Sequence, residues 1–126
     1  MATVTTVDGI QYSINPDAIV VVSDEAAANV CDVLGPTKGT LRLNEASIGL
    51  LTRLGIAANF AQLTRSDGSP VWVNGKAASS LRAPLSGEFP TMPTARTVIY
   101  IGTTEQAVDE DQAAAVAALN AHGGRL

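Results

Sequence analysis

The sequence predicts an α+β fold built from two related units, each a β-hairpin and antiparallel sheet with a packed helix, pseudo-duplicated along the chain. The first observation is residues 63–74, LTRSDGSPVWVN, where Asp67-Gly68 stands between two short alternating apolar and polar runs. That pattern is a strong hairpin signal, because glycine accepts the positive φ of a tight turn and aspartate bonds its own backbone there. The second is a weaker copy at residues 4–15, VTTVDGIQYSIN, 59 positions earlier. At that step Thr5/Thr64, Asp8/Asp67, Gly9/Gly68, Asn15/Asn74 and Ala18/Ala77 are identical, and Val4/Leu63, Ile14/Val73 and Val22/Leu81 are similar. The expected division is 1–61, an N-terminal β-α unit, and 62–126, a C-terminal one, together forming one compact domain.

Taken in order, residues 3–7 and 10–15 are the predicted strands of the first hairpin, and Asn15-Pro16-Asp17 a turn. Residues 18–22, AIVVV, read as a buried strand. Ser23 is a plausible N-cap for a helix with Asp24 and Glu25 in its first turn. Ala26, Ala27, Val30, Val33 and Leu34 follow at helical spacing, and Gly35-Pro36 stops it. Residues 40–43 alternate as a strand. Asn44 is the expected cap of a second helix with Ile48, Leu51 and Leu54 on its apolar face, Leu50 beside it and Gly55 at its end.

The second hairpin takes residues 63–65 and 71–74, and residues 77–81 match the AIVVV strand in more polar form. Residues 82–94, RAPLSGEFPTMPT, hold Pro84, Gly87, Pro90 and Pro93 and are predicted as an irregular loop, either a binding element or a tolerated insertion. Residues 96–102, RTVIYIG, are the strongest strand and the expected central one. Asp109 and Gln112 give a capping-box-like start to the last helix. Ala113, Val116, Ala117 and Leu119 are its predicted core face, and residues 122–124 its end.

Size and charge narrow the function classes. The chain has 126 residues, 46% apolar, which suffices for a core. No run approaches the roughly 18 apolar residues of a membrane span, and the start, MATVTTVDG, lacks a basic region before an apolar stretch. A soluble protein made in the cytoplasm is expected, with no membrane partner. The net charge is −4, with three basic against six acidic residues in 1–61 and five against six in the remainder. Neither half has the basic excess that phosphate-backbone binding needs, so nucleic acid is disfavoured.

No metal or other cofactor is expected, since one cysteine and one histidine fall short of the four ligands of structural zinc. Only 16% of residues are charged, below the usual ~25%, which suits a surface partly covered in an oligomer or larger particle.

A resemblance enters at Leu63-Thr64-Arg65, Gly68 and Val73-Asn74, followed by Thr97-Val98-Ile99, Ile101 and the segment Val108-Asp109-Glu110. Over roughly residues 62–116 this pattern resembles the small flagellar FlbD family, a hairpin-sheet with a C-terminal helix, and the first half resembles a diverged copy of its hairpin. The insertion at 82–94 and the whole preceding half depart from that family. The resemblance implies a non-enzymatic accessory protein acting through contacts, with no catalytic residues to carry over.

Chemical motifs are absent: there is no GxGxxG, P-loop or GxSxG. His122 reads as a charge favouring a helix C-terminus, and Cys31 as a small core residue. Asp109, Glu110 and Asp111 point in different directions on a helix and suit its dipole better than a cation. Two short helices across 24–54 allow a helix-turn-helix reading in which Lys38, Arg42 and Arg53 meet phosphate.

Trp72 alternates with Val71 and Val73. It is therefore an interface anchor if the valines take the core, or core itself if both faces are buried. The candidate interface residues are Trp72, Arg82, Phe89, Met92 and Tyr100. The expected function is a non-enzymatic structural or assembly protein working through protein–protein contacts, placed by its composition as a decorating or minor component of a phage-type virion. The alternatives are a cytoplasmic regulatory adaptor of the FlbD-like kind and a weak nucleic-acid-binding regulator through residues 38–54.

Overall fold

The computed structural model describes residues 2–27 and 29–126. Among these residues lie ten strands and two α-helices, the strands paired in antiparallel sheets, an α+β fold. The chain forms two compact units, Met1–Ala58 and Asn59–Leu126.

In the first unit β1 (Ala2–Thr5) and β2 (Gln11–Ile14) make the expected hairpin, joined by a turn in which Gly9 N donates to Thr6 O at 2.9 Å and Thr6 N to Ile10 O at 2.9 Å. Gly9, at φ +85°, closes it as a type I turn followed by a left-handed residue does. A 3₁₀ turn, Pro16–Ala18, is capped by Asn15 and leads into β3 (Val21–Asp24), so the predicted 18–22 strand starts three residues later, after the buried Ile19.

The helix expected over 24–34 is not formed among the described residues. β3 returns through a turn to β4 (Cys31–Leu34), with Glu25 N donating to Val30 O at 3.0 Å and Asn29 at φ +59°. Cys31 and Val33 are buried while Asp32 and Leu34 are half-buried, a two-residue period that overrides the helical propensity of the alanines. The meander continues to β5 (Leu41–Leu43), where Leu41 and Leu43 go in and Arg42 goes out.

Gly35 has another role than a helix stop. At φ +123° it passes so close to residue 18 that a Cβ would lie 2.0 Å from Ala18 O. Helix α1 (Ser47–Arg53) begins after Ala46, not at Asn44, and buries Ser47, Leu50 and Leu51 while Ile48 faces solvent. Its cap comes from β3, where the Asp24 carboxylate accepts from Ser47 N at 2.8 Å and Ser47 Oγ at 2.7 Å. Gly55 ends it, as predicted, at φ +73°.

The second unit repeats this order. β6 (Phe60–Thr64) and β7 (Pro70–Asn74) form the hairpin, Gly68 lies at φ +83°, and the turn bonds are Gly68 N to Arg65 O (2.8 Å) and Arg65 N to Ser69 O (2.9 Å). Each of these stands 59 residues after its counterpart. So does the 3₁₀ turn Gly75–Ala77, where Asn74 Oδ1 accepts from Lys76 N at 3.0 Å as Asn15 Oδ1 does from Asp17 N at 3.0 Å.

β8 (Ala78–Arg82), β9 (Thr97–Ile101) and β10 (Thr104–Val108) form a meander with β9 in the middle. β9 is the central strand expected, with Thr97, Val98, Ile99 and Ile101 all buried. β10 was not expected, because TEQAV is polar and lacks alternation. A further bond closes each unit on its own hairpin: Asn44 N donates to Thr5 O at 3.1 Å in the first, and Asp109 N to Thr64 O at 2.8 Å in the second.

Helix α2 (Gln112–Asn120) is capped by Asp111, which accepts from Ala114 N at 2.8 Å, and not by Asp109. Its inward residues are Ala115 and Leu119, with Val116 half-buried. The predicted Ala113 and Ala117 are exposed instead. Glu110 precedes it and locks the hairpin, its carboxylate accepting from Thr64 N and Thr64 Oγ1, both at 2.9 Å. The acidic triplet is thus divided between a hairpin lock (Glu110), a cap (Asp111) and an acceptor for Thr94 Oγ1 at 2.8 Å (Asp109).

Cys31 is fully buried, and burial, with Asp24, Glu45, Asp32 and Glu25 nearby, pushes its thiol up to about 12. Because thiolate is the reactive form, Cys31 is expected to ignore aromatic disulfide reagents in the native protein and to react only after denaturation. Rapid native labelling would contradict this placement.

Candidate functional site

β8 delivers Arg82 to the start of the loop that the prolines and glycine predicted. The loop is a succession of turns rather than slack chain. Glu88 N donates to Leu85 O (3.0 Å), Met92 N to Phe89 O (3.0 Å) and Ala95 N to Met92 O (3.1 Å). Gly87 supplies φ +75° in the first, and Pro90 and Pro93 take the second position of the other two, where their fixed φ is already the one required.

A clamp fastens this loop to the sheet. The Arg82 guanidinium forms a two-pronged ion pair with Glu88, one prong Nη1 to Oε1 at 2.7 Å, and its Nε donates to Tyr100 Oη at 2.9 Å. The same guanidinium stands 5.6 Å from the centre of the Tyr100 ring, within cation–π range. Glu88 Oε1 also accepts from Leu85 N at 2.8 Å. One carboxylate therefore fixes both ends of the first turn.

The loop presents an apolar surface. Leu85 is 71% exposed. Phe89 and Met92, half-buried, line with Pro84, Pro90 and Pro93 a shallow concavity of about 380 Å³ beside it. Apolar side chains on a pre-ordered loop lose little entropy on binding, so such a surface suits contact with another protein. Of the candidate interface residues, the structure places Arg82, Phe89 and Met92 on this loop or at its start and Tyr100 against Arg82. Leu85 and Glu88 were not among those candidates; the sequence signal for Leu85 was its place between Pro84 and the Ser86-Gly87 turn.

Trp72 does not line this concavity. Val71 and Val73 take the core, and Trp72 lies half-buried on the opposite face of β7, across from the exposed Gln62.

Arg82 holds the Glu88 carboxyl down at about 2, the Leu85 amide bond adding to it. A depressed carboxylate contributes its contacts above its ordinary value of 4.5 and loses them as pH falls through its folded value. The Leu85 amide proton shift is therefore expected to titrate with a midpoint near 2; a midpoint near 4.5 would show the clamp open. Because the pair is largely solvent-screened, Glu88→Gln should speed exchange of the Leu85 amide while leaving the melting temperature almost unchanged.

The basic residues of 38–54 are arranged otherwise than a helix-turn-helix requires. Arg42 pairs with Glu25 at 2.6 Å, and Arg53 with Glu45 at 2.8 Å and with Thr3 O at 3.1 Å. The first helix of that reading is replaced by β3, β4 and their turn. Among the described residues no helix is long and apolar enough to cross a membrane, and no three His, Cys, Asp or Glu side chains are grouped to hold a metal ion. No protein-family model, curated protein or solved structure matches the chain.

Proposed function

We propose that this chain is a non-enzymatic structural or assembly protein that works through protein–protein contacts, with the loop after β8 as a contact element. The single observation behind this reading is Leu85, 71% exposed at the head of a turn-built loop that Arg82, Glu88 and Tyr100 hold in place. An aliphatic side chain displayed on a pre-ordered support is costly to leave in water and effective once covered. The sparse charge of the chain agrees with a surface of which part is covered, and a minor or decorating place in a phage-type particle is the specific form of this proposal.

The recurrence of hairpin, 3₁₀ turn, three-stranded meander and helix in both units supports a duplication, and with it a second reading. A hairpin-sheet ending in a helix is also what the FlbD resemblance implies, so a regulatory adaptor is the alternative role for the same contact surface.

Affinity capture from the source lysate tests the proposal. Tagged wild-type protein is expected to retain partners that Leu85→Asp loses, by about tenfold or more if Leu85 is an anchor. Leu85 is exposed, so the variant should fold normally. Equal recovery of every partner by the two proteins would remove the loop from the account.

A further inference from the structure

The two hairpin tips repeat one backbone but not one set of side-chain bonds. Asp67-Gly68 and, 59 residues earlier, Asp8-Gly9 each stand in a turn whose glycine is left-handed, at φ +83° and +85°. Gly68 N donates to Arg65 O at 2.8 Å and Gly9 N to Thr6 O at 2.9 Å, so the glycine amides are held alike. The difference lies at the aspartates. Asp67 Oδ1 accepts from Ser69 N at 2.9 Å and also from Ser69 Oγ, which in turn accepts from Arg65 Nε at 2.9 Å. These bonds restrict rotation of the Asp67 carboxylate and hold its carboxyl below the usual carboxylate range.

At the first tip both restraints are missing. Ile10 stands where Ser69 does, so there is no hydroxyl donor, and Ile10 N donates to Thr6 Oγ1 at 3.1 Å instead. The Arg42 guanidinium, which lines a shallow concavity with Asp8, is taken by Glu25 at 2.6 and 2.8 Å. Among the described residues no hydrogen-bond donor holds the exposed Asp8 carboxylate, and nothing lies within 4 Å of the place a Cβ on Gly9 would take.

We infer that Asp8-Gly9 is a site of spontaneous covalent modification, at which residue 8 becomes isoaspartate, while the same step at Asp67-Gly68 is restrained. A glycine after aspartate favours this chemistry, because no side chain shields its amide nitrogen. The Gly9 nitrogen attacks Cγ of the protonated Asp8 carboxyl. An N–Cγ bond forms, a Cγ–O bond breaks, and the amide proton leaves with the hydroxyl as water. Water then opens the cyclic imide at the main-chain carbonyl carbon, which leaves the chain linked through Cγ and a free main-chain carboxylate. The water lost is regained, so the mass is unchanged and no oxidant, metal or second protein takes part. The step requires the carboxyl to swing onto the following nitrogen, the rotation that Ser69 restrains at Asp67. Isoaspartate adds one atom to the main chain at the tip, between the exposed Val7 and Ile10 and beside the bond from Val7 N to Arg42 O at 3.0 Å.

Purified full-length chain kept warm at neutral pH, sampled over weeks, tests this. Each sample is digested with a protease that cleaves before aspartate but not before isoaspartate, and the peptides are mapped by mass spectrometry. The rate at each site is divided by its rate in the denatured chain, where neither turn exists. The resulting ratio is expected to be about fivefold or more higher at Asp8 than at Asp67, the worth of one typical net hydrogen bond. Ser69→Ala should raise the Asp67 rate toward that of Asp8. Equal ratios at the two sites, or a higher one at Asp67, overturn the inference. So does a Ser69→Ala chain of native melting temperature in which Asp67 stays as slow as in wild type.

Discussion

Gly35→Ala is expected to destabilise the first unit by about 3 kcal/mol or more. Gly35 stands at φ +123°, which an L side chain rarely adopts, and its added Cβ would lie 2.0 Å from Ala18 O and 3.1 Å from Val20 N. These are backbone atoms, so no side-chain rotation relieves the collision. Val20 N already donates to Leu34 O at 2.9 Å, and that bond ties the residues before β3 to the end of β4. The methyl group would pry apart this junction, and a melting-temperature loss of about 10 °C or more should follow. Gly39→Ala provides the control, because nothing lies within 4 Å of its added Cβ. Differential scanning calorimetry of the two variants separates the effect of place from that of residue type; equal transitions would refute the close approach.

Gly75→Ala is the corresponding test of the second unit, with an expected cost of about 1–3 kcal/mol or more. Its Cβ would stand 2.5 Å from both His122 O and Leu119 O, the carbonyls at the end of α2. Leu119 O is engaged: it accepts from His122 N at 3.0 Å and from Gly124 N at 2.9 Å. Pushing the helix end away would open these bonds together with the packing of Leu119, which is fully buried. At the matching position of the first unit, 59 residues earlier, the chain carries Pro16, so the tight approach belongs to the second unit alone. Gly49→Ala, inside α1 with nothing within 4 Å, should instead stabilise by about 0.5–1 kcal/mol. Urea denaturation of both variants reads the opposite signs, and a stable Gly75→Ala would contradict the seating of α2.

These glycines also mark where the sequence was and was not legible. Gly9 and Gly68 were read correctly because a hairpin turn is local chemistry: a left-handed glycine after Asp, between alternating strands. Gly35 was misread as a helix stop because its reason is an approach of residue 18, which no local pattern announces. The error at 24–34 has the same origin. Asp24, Glu25 and the alanines after them suit a helix start, yet the pairing of β3 with β4 decides the matter, and Asp24 serves a helix 23 residues away. β10 escaped notice because its stability comes from the buried ladder with β9 rather than from its own polar side chains.

The candidate site divides similarly. Pro84, Gly87, Pro90 and Pro93 made the loop visible, and their turn preferences became the turns observed. Glu88 could not be selected from sequence, because its role depends on Arg82, Tyr100 and the Leu85 amide meeting in space. The α2 face was legible only in part, Leu119 being the buried residue expected and Val116 half-buried. Ala113 and Ala117 are at the right helical spacing for a core, but Ala115 and Leu119 face the sheet, and alanine's small side chain gave no contrast between the faces.

The proposal that the chain acts through contacts in an assembly is tested most directly by sedimenting the source lysate and following this chain by mass spectrometry. The account predicts that it travels in many copies with a large particle, and that Leu85→Asp moves it to the light fractions without altering its own melting temperature. A wild-type chain found only in the light fractions, with no particle-associated copies, would contradict the assembly role.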